Sequence, residues 1–200
     1  MRNKIINSLL ALGALFLLLS ACQNFKKTQL VLFESLSFGM PEKSFQEVFG
    51  EASEVVEETE MAYRDAWRAE DPYFYKTGRL FYDYENITLN GYTGRARFTF
   101  SKSHRLEKAT VHIPVASKGE QYVVLNNLSQ TIKKEIEALP NFQSVTTETV
   151  GLYDDGYRYK VKLKGQRREF WIDVYPTEDE DAKEIEDKKY TIRVDQFRMH

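Results

Sequence analysis

Tyr157-Arg158-Tyr159-Lys160-Val161-Lys162-Leu163-Lys164 alternates apolar and cationic residues without a break. Successive side chains of a strand point to opposite faces, so this run predicts a strand that buries Tyr157, Tyr159, Val161 and Leu163. Asp154-Asp155-Gly156 ahead of it has the composition of a hairpin turn, which makes residues 142–153 its partner strand. Lys164-Gly165-Gln166 turns the chain again into Phe170-Trp171-Ile172-Asp173-Val174-Tyr175, and residues 190–198 read as a last strand. Upstream, Leu125, Leu128, Ile132, Ile136 and Leu139 recur at helical spacing, with Lys133, Lys134, Glu135 and Glu137 on the wet side and Pro140 as the stop.

The first half shows a similar order. Pro41 suits the first turn of a helix, where its missing N–H is not needed. Phe45, Val48 and Phe49 give that helix one apolar face, and Gly50 ends it. Residues 79–89 and 95–101 have strand character, with Asn90-Gly91 and Thr93-Gly94 as the turn between them. A turn at 101–104 leads into Ala109-Thr110-Val111-His112-Ile113, stopped by Pro114. The expected class is α+β, with helices packed on one face of an antiparallel sheet and a tandem αβββ–αβββ order as its finer form. The domain spans 30–200, with halves at about 30–116 and 117–200.

The chain has 200 residues, 42% hydrophobic and 14% aromatic, which is too apolar and aromatic for a disordered protein. A single cysteine rules out a disulfide-stapled miniprotein. With 28 basic against 30 acidic residues, the balance is wrong for a nucleic-acid binder. Residues 1–21 stand apart: Arg2 and Lys4 precede a nearly unbroken apolar run from Ile5 to Leu19, closed by Ser20 and Ala21. That is the pattern of a secretory signal peptide. Leu19-Ser20-Ala21-Cys22 resembles a bacterial lipobox, and the resemblance implies that Cys22 is lipidated and begins the mature chain. Residues 22–29 then read as a lipidated tether, and the remaining balance is 26 basic against 30 acidic, or −4. Gln23 after the cysteine, by the same resemblance, favours the outer membrane facing the periplasm over the inner membrane.

Leu36-Ser37-Phe38-Gly39-Met40-Pro41-Glu42-Lys43-Ser44-Phe45, continuing to Gly50-Glu51-Ala52, resembles the SmpA/OmlA group. That group includes the small lipoprotein subunit of the outer-membrane β-barrel assembly machinery. The stretch is similar, too, to β-lactamase-inhibitor-protein-like domains. The likeness covers about 36–113 and implies a fold rather than a reaction: Gly39 for backbone shape, Met40 and Phe45 for packing. Pro41 stands where the group has Thr or Ser, and an aromatic-rich stretch at 61–84 interrupts helix and meander.

In that stretch Tyr63, Trp67, Tyr73, Phe74, Tyr75, Phe81, Tyr82 and Tyr84 alternate with Arg64, Arg68, Lys76 and Arg79. One reading is strand packing under snorkelling arginines. The other is a partner-binding surface anchored by Tyr63, Trp67, Arg68, Tyr73, Tyr75 and Arg79, since Tyr, Trp and Arg are the usual interface anchors. The acidic run at 178–189 lacks the calcium-loop spacing, and His104, His112 and His200 have no ligand spacing to one another. No nucleophile elbow or phosphate loop is present, so no metal or cofactor is expected. The expectation is a lipid-anchored envelope lipoprotein, not an enzyme, whose domain binds a protein partner in an assembly, scaffold or inhibitor-type role. An envelope hydrolase using paired carboxylates and a small-ligand or lipid carrier stay open beside it. Replacing Cys22 by Ala is expected to move the protein from the membrane pellet to the soluble fraction; a Cys22→Ala form that still sediments with membranes contradicts the anchor.

Overall fold

The computed structural model of the chain describes residues 28–65, 68–150, 155–178 and 190–198, with only the backbone of 61–65, 68–74 and 178. Its elements are α1 (Glu42–Phe49), β1 (Glu54–Asp65), β2 (Arg68–Leu89), β3 (Tyr92–Phe100), β4 (Leu106–Val115), α2 (Lys118–Glu137), β5 (Phe142–Val150), β6 (Gly156–Leu163), β7 (Phe170–Glu178) and β8 (Tyr190–Arg198). All eight strands join one antiparallel sheet in the order β1-β2-β3-β4-β8-β7-β6-β5.

This overturns the α+β expectation and the tandem αβββ–αβββ order with it: the protein is β-rich, one large sheet with two helices among the described residues. Two physical reasons account for the difference. Residues 54–75, which carry no clean apolar period, are strand, so the first half supplies four strands instead of three, and the second half has four as well. The stripe of α1 is narrower than its spacing suggests, because Val48 is 52% exposed and only Phe45 is buried. Two boundaries shift as well. Thr93-Gly94 is strand, leaving Asn90-Gly91 as the turn, and Pro114 pairs with Thr191 inside β4.

Cross-strand register puts one residue set on the inner face. Tyr82 and Tyr84 lie beside Phe98 and Ala96, then Ala109 and Val111, then Gln196 and Val194, then Ile172 and Val174, and last Tyr159. All of these are buried. Phe45 of α1 packs on the first part, 4.9 Å from the Phe98 ring and 5.1 Å from Phe100, with Phe49 at 4.9 Å from Tyr84. Val124, Leu125, Leu128, Ile132 and Ile136 of α2 are buried over the second part, where the Tyr159 hydroxyl donates to the Ser129 carbonyl at 3.1 Å.

The start of α2 is held by a capping box. The Ser117 hydroxyl accepts from the Glu120 N–H at 3.2 Å, and the Glu120 carboxylate accepts from the Ala116 N–H at 2.7 Å. Gln121, almost fully buried, donates to the Thr177 and Thr191 carbonyls, both at 3.0 Å, and so ties the helix to β7 and β8. Residues 28–40 fill the inner face between the helices. Leu30, Leu32, Leu36 and Phe38 are buried there, and the Leu32 N–H donates to Gln196 Oε1 at 3.1 Å. Phe33 lies 5.1 Å from Phe98, and Phe38 lies 6.1 Å from Phe170, so the segment bridges the two parts of the core.

Phe45 joins α1 to four aromatic rings at once, and removing it leaves a hole that such a cluster refills poorly. Phe45→Ala is therefore expected to destabilise the protein by about 3–5 kcal/mol, read as a lower midpoint in urea unfolding. A loss under about 1 kcal/mol would show that α1 does not depend on that cluster.

Candidate functional site

Among the described residues the other face of the sheet carries no helix, and the register that builds the core also orders this outer face. One row crosses all eight strands: Glu54, Asp83, Arg97, Thr110, Asp195, Asp173, Arg158 and Glu148 are successive cross-strand partners. Every member is polar. A parallel row runs Val56, Phe81, Thr99, Lys108, Phe197, Trp171, Lys160 and Thr146, and sets the adjacent rings of Phe197 and Trp171 between Lys108 and Lys160.

Within the polar row, Asp195 and Asp173 face each other across β7 and β8, a placement that repels unless cations intervene. They do. Arg158 forks both oxygens of Asp173 at 2.7 and 2.6 Å. Asp195 receives Lys108 Nζ at 3.1 Å, Arg193 Nε at 3.1 Å, the Thr110 hydroxyl at 2.6 Å and the Tyr175 hydroxyl at 3.2 Å. At the other end Arg97 forks Asp83 with two bonds of 2.7 Å. The cations then lie on the aromatic rings: Arg158 and Lys160 at 4.5 and 4.9 Å from Trp171, Lys108 at 5.6 Å from Phe197, Arg193 at 5.8 Å from Tyr175 and Arg97 at 5.2 Å from Phe81.

Protonation follows from these contacts. Burial alone pushes the Asp195 carboxyl up, but Lys108, Thr110 and Arg193 outweigh it and hold the group below the usual aspartate range. Burial and the adjacent Asp195 charge raise the Tyr175 hydroxyl, so it stays a donor at neutral pH. His112, flanked across the strands by Arg95 and Arg193, is lowered by burial and by Arg193, with Asp195 opposing and Arg95 and Arg97 adding to the shift. It is therefore neutral at pH 7. On the inner face Tyr82 is pushed up to about 12 by burial and by its bond to Glu42. The indole N–H of Trp171 has no partner among the described residues.

A shallow depression of about 390 Å³ opens on this outer face, lined by Ser53, Glu54, Asp83, Glu85, Arg95, Arg97 and His112. A second, of about 460 Å³, lies between residues 29–34, the β2–β3 turn and the end of α2. Burial, Glu34 and an opposing bond from Asn90 leave the Glu135 carboxyl there above its usual value. Among the described residues no group of three or more His, Cys, Asp or Glu side chains could hold a metal ion, and no helix is long and apolar enough to cross a membrane.

The sequence-predicted anchors lie elsewhere, on the β1–β2 hairpin. The pairing of β2 with β3 begins at Leu80 and Phe100, while β1 and β2 go on pairing from Thr59 and Lys76 to Asp65 and Arg68. The hairpin thus continues as a two-stranded ribbon roughly 20 Å past the last strand that could flank it. Tyr63, Arg68 and Tyr73 are on that ribbon, paired in register with Pro72, Asp65 and Ala62. Their side chains lie outside the described residues, as do all of Trp67, Cys22, His200 and most of the acidic run.

Tyr75 is exposed and donates to Glu60 across the ribbon. Arg79 is a different kind of residue. It stands at the foot of the ribbon, where Thr77, Gly78 and Arg79 bulge against Glu58, and it pairs with Glu107 at 3.1 Å and Glu58 at 3.8 Å. Gly78 takes φ +78° there, which a side chain would oppose. The same bulge is fastened by Thr77 Oγ1 donating to Glu58 Oε2 at 2.7 Å. Arg79 therefore braces the hairpin. The residues that form the outer face, Arg95, Arg97, Lys108, His112, Arg158, Trp171, Asp173, Arg193, Asp195 and Phe197, are scattered over five strands and became neighbours only through register.

No protein-family model, no curated protein and no solved structure matches the chain. The likeness at 36–113 stands on its residues alone.

Because Asp195 is held ionised, its stabilisation is complete above the pKa of an unfolded aspartate and fades as pH falls through its lower native value. Asp195→Asn is expected to cost about 1–3 kcal/mol at pH 7, since Lys108 and Arg193 lose their counter-charge but remain partly hydrated. The deficit against the unsubstituted protein should begin to shrink in urea unfolding below about pH 4, where the unfolded aspartate takes up its proton, and close only below the lower native value. A deficit that stays constant with pH would refute the ionic account.

Proposed function

We propose that the protein is a lipid-anchored envelope lipoprotein that binds a protein partner through the open outer face of its sheet, with the β1–β2 ribbon as a second contact. One observation carries the reading. The helices and residues 28–40 cover the inner face, while Trp171, Phe197, Tyr175 and Phe81 lie on the outer face among Arg158, Arg193, Arg97 and Lys108. Aromatic rings and arginines held rigid by their neighbours are the groups that anchor protein interfaces, because little side-chain freedom is lost on docking.

The ribbon supports the same reading. A two-stranded hairpin is marginal by itself in water, so one that runs past its sheet gains from a surface to lie on. The lipobox-like run at 19–22 supports the anchor, and the short polar segment after it would keep the domain near the bilayer. The nearest carboxylate pair, Asp173 and Asp195, does not favour hydrolysis. Both are buried and bound to cations on an open sheet, and Asp195 is held below the usual aspartate range.

A photo-crosslinking side chain placed at Phe197 on the outer face, and at Tyr75 on the ribbon, is expected to capture one discrete protein in intact cells. The same group at Lys133, on the solvent side of α2, should capture none. Adducts from Lys133 with none from Phe197 would move the binding surface to the helices and overturn the proposal.

A further inference from the structure

We infer that the outer face over β4, β8, β7 and β6 receives an acidic, extended stretch of the partner's chain, an inference that rests on the partner-binding reading above. Charge on this part of the sheet is layered. Five cations, Lys108, Arg193, Arg158, Lys160 and Lys162, share it with two carboxylates, Asp195 and Asp173, while at its border on β5 the 44% exposed Glu148 pairs with Lys160. The aspartate side chains are only 6% and 8% exposed, whereas those of Lys108, Arg193 and Arg158 are 30%, 34% and 27% exposed. The two aspartates are the floor and the cations are the skin, so a molecule approaching over β4, β8, β7 and β6 meets positive charge before it meets them.

Several of these cations keep donors in hand. Arg158 uses Nε and one terminal nitrogen on Asp173, and its other terminal nitrogen has no partner among the described residues. Lys162 is exposed and, like Arg95 on β3, makes no ion pair among the described residues. The buried floor pins the cations in place, so a second carboxylate above meets a donor that is already oriented.

The shape selects an extended ligand. The patch spans β4, β8, β7 and β6, neighbours spaced about 4.8 Å apart, and the charges are distributed across it instead of converging. A small anion would touch one of them; a chain bearing repeated carboxylates can meet several. Between the cations, Trp171 and Phe197 lie edge to face at 5.8 Å and offer an apolar bed for the stems and backbone of such a chain. Beyond β4 the character changes, because Glu54, Asp83 and Glu85 line the depression beside Arg95 and Arg97. The acidic segment would therefore lie over the second half of the sheet.

The test uses purified protein and a fluorescein-labelled peptide of alternating Glu and Ser, about a dozen residues long, read by fluorescence anisotropy. Binding is expected, and it should weaken by about tenfold or more between roughly 50 and 300 mM salt, over which the screening length more than halves. The Lys160→Glu/Lys162→Glu double variant should lose binding by about tenfold or more, while Lys133→Glu/Lys134→Glu on α2 should bind as before. If charge reversal disturbs the circular dichroism of the sheet, Lys160→Gln/Lys162→Gln gives the same comparison with a smaller expected loss. Equal binding of a Lys–Ser peptide, an equal loss in the α2 variant, or binding to phosphatidylserine vesicles without binding to the Glu–Ser peptide would each overturn the inference. Crosslinking from Phe197 that persists unchanged in Lys160→Glu/Lys162→Glu would leave the partner-binding reading standing and remove the acidic one.

Discussion

The sheet depends on the pairing of β4 with β8. Eight cross-strand partners, from Lys108 with Phe197 to Val115 with Tyr190, join what would otherwise be two four-stranded sheets. Its inner side is the driest part of the core: Ala109, Val111, Ile113, Ile192, Val194 and Gln196 have almost no exposure. Residues 28–40 lie across that junction, where the Leu32 N–H donates to the buried Gln196 Oε1, while Gln196 Nε2 has no partner among the described residues. The opposite side of the same strands holds Thr110 and Asp195, so the seam that closes the core also sets the centre of the outer face.

That centre has a cost, and the surrounding sequence offsets it. Two aspartates opposed across strands and withdrawn from water would repel and resist burial. The neighbouring strands place Arg158, Lys108 and Arg193 within reach, and the aromatic rings beneath those side chains limit their freedom. The outward cations of β6 and the outward rings of β7 are thus the counterpart of two carboxylates. Surface ion pairs contribute little when both partners are mobile and solvated; these are neither.

The strand β6 was legible because its period of two is unbroken from Tyr157 to Lys164 and its flanking turns carry glycine. The stripe of α2 was legible for the same kind of reason, although the helix begins earlier, at Lys118, where the signal is a capping box and not an apolar residue. β1 was not legible. It is an edge strand, with Glu57, Glu58 and Glu60 around a bulge, so neither of its faces keeps an apolar period. Arg79 looked like an interface anchor because its local neighbours are aromatic, but what sets its role is Glu107, distant in sequence. The outer-face rows were hidden for a deeper reason: composition shows that Asp173 and Asp195 alternate outward, yet only the register between β7 and β8 makes them opposite.

The position of β8 bears on the order of assembly. β1 to β4 can pair as a meander soon after synthesis, and β5 to β7 can do the same, since each of those contacts joins neighbours in sequence. The strand that unites them follows all seven in chain order. Until it arrives, β4 and β7 each present an open edge of unpaired backbone, the kind that recruits other chains. Closing a contact between residues some eighty positions apart is slow, because the intervening loop must be confined before the pairing rewards it. Vectorial emergence of this chain therefore leaves a period in which two half-sheets coexist, and a chaperone that shields the β4 and β7 edges acts where the risk of aggregation is greatest.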